Sequence, residues 1–253
     1  MRYTLAVLLL AAAFSCKKER TTTSPEEREA LLRVTEIENA YNNDAPETLK
    51  VSYDPLGRIS SSISGDKKYL FNYQTPSALQ ISRYKISDNT LVQTIDCMLN
   101  TAGAITKETY RNASDNAIFY TYQYGYNADG YMILAEAAGY NNSYKWEFIY
   151  TDGLLTQSKY YEAGVYKSIT HFKYDASVTN KTNLPHWWTW ASSMLYGKPE
   201  KYALVEIREF DTTNKLIRHW TSSYQYDAAG KVLTESKQSQ LSNDVQRYRY
   251  KLQ

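Results

Sequence analysis

The stretch Tyr224–Ser236, YQYDAAGKVLTES, has near-copies elsewhere in the chain: VSYDPLGRISSS begins at Val51 and YGYNADGYMILAE at Tyr124. The shared phrase is an aromatic residue, Asp or Asn, a short spacer, Gly, and then an aliphatic residue opening an alternating run. It occurs at Tyr53, Tyr126, Tyr150 and Tyr226, with degraded copies at Tyr73, Leu99, Tyr174 and Phe210. Most intervals run from 20 to 27 residues, with one long gap between Tyr174 and Phe210. Self-similarity at a fixed period marks a repeated supersecondary unit. An Asp or Asn after the aromatic can hydrogen-bond its own backbone and start a turn, and Gly57, Gly130, Gly153 and Gly230 can supply the positive φ that closes it. Each copy therefore reads as one β-hairpin.

The flanks of the turns alternate with period two. In YKWEFIY, Tyr144, Trp146, Phe148 and Tyr150 share one face, against Lys145, Glu147 and Ile149 on the other. IFYTYQYGY aligns Tyr120, Tyr122, Tyr124 and Tyr126, and QRYRYKLQ sets Tyr248, Tyr250 and Leu252 against Arg247, Arg249 and Lys251. One aromatic face and one charged face make half-buried antiparallel strands. The 25 tyrosines of a 253-residue chain are then the filler of an inner side, each with a hydroxyl left for a neighbour. Eight such units predict an all-β meander of about 14–17 strands. A sheet that wide curls, splits or closes to remove its edges.

Charge excludes one partner class. With 29 basic and 27 acidic residues the net charge is +2, which gives no electrostatic footprint for nucleic acid. The first residues define another feature. MRYTLAVLLLAAAFSCKKER has one early Arg, an apolar run from Leu5 to Phe14, and then Cys16. The run is too short to span a bilayer and suits a signal peptide over residues 1–15. A cysteine at that place resembles a bacterial lipoprotein cleavage site, which implies acylation of Cys16 and a membrane as partner through the lipid anchor. The alternative is an ordinary cleaved signal with an incidental cysteine. With Cys16 acylated, Cys97 has no partner for a disulfide.

Residues 16–45 read as the lipidated cysteine, a polar tether and a short helix. Ser24 is a good N-cap, Pro25 suits the first helical position, and Ala30, Leu31, Val34, Ile37 and Tyr41 fall along one face, predicting a helix from about 25 to 41. Residues 46–253 form the repeat-built domain.

The phrases are similar to the tyrosine-aspartate repeats of large bacterial shell-forming toxins. With the SCKKE start, the chain resembles a Bacteroidetes lipoprotein family of unknown function described as having a porin-like fold. That resemblance implies an up-and-down β-barrel in the cell envelope, on the outer membrane, and carries over no catalytic or binding residue. It does not imply a pore. The non-aromatic face holds Lys145, Glu147, Lys167, Lys173, Arg247 and Arg249, which are costly in lipid.

Motifs for chemistry are sparse. His171, His186 and His219 have no paired metal spacing, no nucleophile or phosphate-loop signature is present, and nothing calls for a cofactor. The exception to the repeat is NLPHWWTWASSMLYGKPEKY. Pro185 and Gly197 bracket a predicted helix with Trp187 and Trp190 on one face and Trp188 off it. This segment either caps the wide interior or presents His186, Trp187, Trp188, Trp190 and Tyr196 to a flat ligand such as a sugar ring. The leading expectation is a non-enzymatic envelope protein with a binding or structural role. The second is carbohydrate capture, or contact with an envelope protein, through the Trp segment. The third is an enzyme built on non-local carboxylates.

Overall fold

Sixteen antiparallel strands close into a barrel in which every strand pairs with its neighbours in sequence and the first pairs with the last. The computed structural model describes residues 33–139, 142–180, 195–228 and 230–252. The strands are β1 (Val34–Tyr41), β2 (Glu47–Tyr53), β3 (Ile59–Ser64), β4 (Lys67–Thr75), β5 (Ala78–Lys85), β6 (Thr90–Leu99), β7 (Ile105–Asn112) and β8 (Ile118–Tyr126). They continue as β9 (Met132–Gly139), β10 (Asn142–Thr151), β11 (Leu154–Glu162), β12 (Val165–Thr179), β13 (Tyr202–Asp211), β14 (Leu216–Tyr226), β15 (Val232–Ser239) and β16 (Val245–Leu252).

The repeated phrase sets the turns at one end. At Asn127 the side-chain oxygen accepts from the amides of Asp129 (3.1 Å) and Tyr131 (3.0 Å), and Gly130 donates its amide to the Asn127 carbonyl (3.1 Å). Gly130 has φ +87°, a value that suits a residue without a Cβ. The pattern repeats at Asn100 and at Asp227. It is a type I turn closed by a left-handed residue, the three-residue hairpin connection.

Just past each turn the ladder takes in one extra residue. Tyr53 faces Ile59 but Ser52 faces Ser61; Leu99 faces Ile105 but Met98 faces Lys107; Tyr126 faces Met132 but Gly125 faces Leu134. The same bulge follows the turns before Leu155 and Val232. A bulge shifts the alternation by one residue. The aliphatic residue and the residue three positions later therefore both point inward. The result is a belt at this end of the barrel. Val34, Ile59, Leu79, Ile105, Met132, Leu155, Leu204 and Val232 are all buried. They face Leu252, Tyr53, Tyr73, Leu99, Tyr126, Tyr150, Tyr174 and Tyr226 across their hairpins or, for Val34, across the closing seam. Tyrosine hydroxyls tie the belt together: Tyr53 donates to the Val34 carbonyl (2.7 Å) and Tyr126 to that of Ile105 (2.6 Å).

The outer face is charged. It carries the pairs Arg249–Glu38 (3.2 Å), Lys145–Glu147 (2.7 Å) and Arg111–Asp96 (3.1 Å), and Glu206 lies between Arg208 and His219. The tyrosine faces point inward, as the alternation predicts.

Two expectations need correction. The segment 34–41, the second half of the expected helix, is strand β1, so the barrel begins at Val34 and not at residue 46. The cause is another bulge, between Val34 and Glu36. It sets the inward residues Val34 and Ile37 three apart, which imitates a helical face. The first half of that helix, the tether, Cys16 and the signal segment lie outside the described residues. Phe210 opens the same turn, in which the Asp211 side chain accepts from the amides of Thr213 (2.8 Å) and Lys215 (3.0 Å) and a bulge follows, but it does so at the opposite end of the barrel. The eighth position of the belt series is taken by Leu252.

Candidate functional site

The inward position three residues past the belt aliphatic is small or apolar in some units, as at Ser62 and Ala135. In two units it is glutamate. Glu108 and Glu235 are 1% and 2% exposed, on walls eight strands apart in the barrel order. A buried carboxylate needs donors. Glu108 accepts from Tyr124 (2.7 Å), Tyr196 (2.9 Å) and Tyr110 (3.2 Å). Burial pushes its carboxyl above the usual range, and the three phenols pull it back. Glu235 accepts from Tyr250 (2.8 Å), Tyr224 (3.1 Å) and Ser222 (3.2 Å), with the Lys237 ammonium 3.5 Å away. Burial raises the phenol of Tyr250 well above its ordinary value, as it does those of Tyr110 and Tyr124.

Between β1 and β8 the described residues do not fill the interior. A cavity of about 510 Å³ lies there. Its apolar lining comes from Ile37, Leu49, Phe71, Ile81 and Ile95, with the rings of Tyr110, Tyr122 and Tyr196 beside them. Toward the end opposite the belt the lining turns polar: Asn39, Glu47, Ser64, Lys67, Arg83 and Gln93. Glu47 and Lys67 are solvent-exposed and mark its mouth. A cavity of this size with an apolar depth and few polar groups has the usual composition of a small-molecule site. Across the barrel, Tyr144, Trp146 and Tyr160 form a half-buried stack with ring separations of 5.3 to 6.3 Å.

Of the site residues expected from sequence, Tyr196 is the one described. It is 5% exposed, packs on Tyr124 at 4.9 Å between ring centroids, and lines the cavity. The chain around it crosses from the β12–β13 connection to the β8–β9 turn, where the Lys198 amide donates to the Gly130 carbonyl (2.9 Å). His186, Trp187, Trp188 and Trp190 lie outside the described residues. His171 and His219 are both on the barrel's outer side; His219 meets Glu206 at 2.8 Å. Cys97 is buried and burial pushes its thiol far up, the opposite of an activated nucleophile. Among the described residues no group of three metal-ligating side chains comes together.

No family model and no curated protein matches the chain. Solved structures do. A porin-like protein from Bacteroides vulgatus ATCC 8482 superposes with TM-score 0.63 at 13% identity, covering 88% of this chain and 99% of that one. A porin-like protein from Bacteroides uniformis ATCC 8492 gives TM-score 0.63 at 14% identity, over 87% of this chain and 96% of that one. At such identity the likeness is one of fold: this chain is a porin-like β-barrel.

Proposed function

We propose that this chain is a non-enzymatic binding protein of the bacterial cell envelope, held to the outer membrane by acylated Cys16, whose barrel interior receives one small molecule. The cavity of about 510 Å³ is the observation that carries the reading. An open cavity whose depth is lined by isoleucines and phenylalanine leaves apolar surface without packing partners, and an occupant supplies them. The charged outer face favours an anchored barrel over a spanning one, because Arg and Lys facing lipid cost roughly 2–4 kcal/mol each at the bilayer midplane. Both buried glutamates are tied to hydroxyl donors of the protein itself, which favours a structural role for them over acid–base chemistry.

Decanol is a suitable probe of the interior, since it needs little besides apolar contact. Calorimetric titration should show one saturable site, lost in Ile95→Trp, where the indole occupies the cavity. No saturable binding by the folded protein, or unchanged binding in Ile95→Trp, would count against the interior as a site. For the anchor, palmitate labelling should disappear in Cys16→Ser; retained label would place the lipid elsewhere. A second reading, carbohydrate capture, is favoured by the half-buried Tyr144–Trp146–Tyr160 stack, whose faces suit a sugar ring.

A further inference from the structure

The polar end of the cavity is unbalanced in charge. Arg83 follows Leu79 and Ile81 on the inward face of β5, and its side chain lines the cavity. Its neighbours across the ladders are Tyr69 on β4 and Gln93 on β6, neither of them an acid. Lys67 stands one inward step further out on β4, across from Lys85. The lining's one other charged group is the Glu47 carboxylate, which accepts from the Ser64 hydroxyl (2.7 Å), so two cations stand against one acid; Lys85 pairs with Asp88 (3.3 Å). Arg83 and Lys67 have no hydrogen bond or ion pair among the described residues. A guanidinium keeps its charge at any working pH, so a half-buried one without a partner bears an uncompensated loss of hydration. A second unmet group lies on β1. The Oδ1 of Asn39 is buried, lines the same cavity and has no donor among the described residues. Below these groups the wall is apolar, from Phe71, Ile81 and Ile95.

We infer that the cavity takes an amphipathic organic anion, its carboxylate or ester sulfate or phosphate head on Arg83 and Lys67 and its apolar body against Phe71, Ile81 and Ile95. A two-oxygen head matches the guanidinium fork and supplies the acceptor that no protein group provides. A hydroxyl or amide N–H on the body would meet Asn39. A neutral sugar fits less well, since it leaves both cations unanswered and sets its hydroxyls against the isoleucines. This inference rests on the interior being a binding site, and the test separates the two.

Decanoate and decanol share one apolar body and differ in the head. Both are titrated calorimetrically into the folded domain below their aggregation concentrations. Decanoate should bind at least about tenfold more tightly than decanol, as a charge-assisted bidentate contact provides. Arg83→Gln should remove that advantage and leave decanol affinity unchanged, with an unchanged melting temperature as the check on folding. The wild-type comparison stands even if that variant does not fold. Equal affinity of the two probes, or a decanoate affinity unaffected by Arg83→Gln, overturns the anionic ligand class and leaves the cavity as an apolar site. Binding of neither overturns both.

Discussion

Glu108 and Glu235 hold the same place in two copies of one phrase, five residues past Gly103 and Gly230. Both are buried, yet the chain accommodates them differently. Two positions further on, Tyr110 stands in one copy and Lys237 in the other. At Glu235 the opposing charge is therefore local, with the ammonium at 3.5 Å. At Glu108 there is no cation; the third donor is Tyr196, which comes from the long β12–β13 connection. Through Tyr196, the described end of that connection is held to a buried acid inside the barrel. Tyr110 and Tyr196, which hold Glu108, line the cavity, whereas the groups that hold Glu235 do not.

The comparison breaks first at Glu235. Glu235→Ala takes the carboxylate away from the buried Lys237 ammonium and removes the acceptor of Tyr250, while Tyr224 keeps the Leu204 carbonyl (2.6 Å). Removing one member of a buried pair costs about 3–5 kcal/mol, which urea unfolding at neutral pH would read directly. A loss under about 1 kcal/mol would mean that Lys237 reaches water and the pair is not a pair. Next comes Tyr196→Phe, which deletes one hydrogen bond to a charged acceptor and keeps the ring. About 1.5–3 kcal/mol is expected, with no counterpart at Glu235, where all donors come from neighbouring strands. The smallest change is Glu108→Gln. Burial raises the carboxyl of Glu108 above its ordinary value of 4.5, so the folded state holds the proton more tightly than the unfolded one. Its contribution to stability is complete below the unfolded value and is lost as pH rises through the folded one. Native and variant protein should match in acid, and the variant should be the more stable at neutral pH. Parallel stability profiles across that window would show that the phenols fully offset burial.

The repeated phrase made most of the barrel legible. Its Asp or Asn and its glycine announce the turns, and the alternation of Tyr with Lys, Arg and Glu assigns the two faces of each strand. The bulges were not legible, because an inserted residue leaves no composition signal. That is why Val34 and Ile37 look helical and β1 reads as part of a helix. The site was harder to read. The alternation places charges on the outer face as a rule, and Arg83 and Glu108 are exceptions to it. Their signal is present: Arg83 continues the inward series Leu79, Ile81, and Glu108 and Glu235 stand five residues past a turn glycine, where the Gly57, Gly130 and Gly153 copies have Ser or Ala. What could not be read is the void itself, which depends on how sixteen inward rows meet across the interior.

The central claim is that binding occurs inside the barrel, and isoleucine methyl spectra test it most directly. Ile37, Ile81 and Ile95 line the cavity, while Ile63, Ile133 and Ile149 are exposed on the outer face. Titrating decanoate into protein labelled at the isoleucine methyls should shift the first three resonances and leave the last three in place. Shifts confined to Ile63, Ile133 and Ile149 would place the ligand on the outer surface and contradict the account.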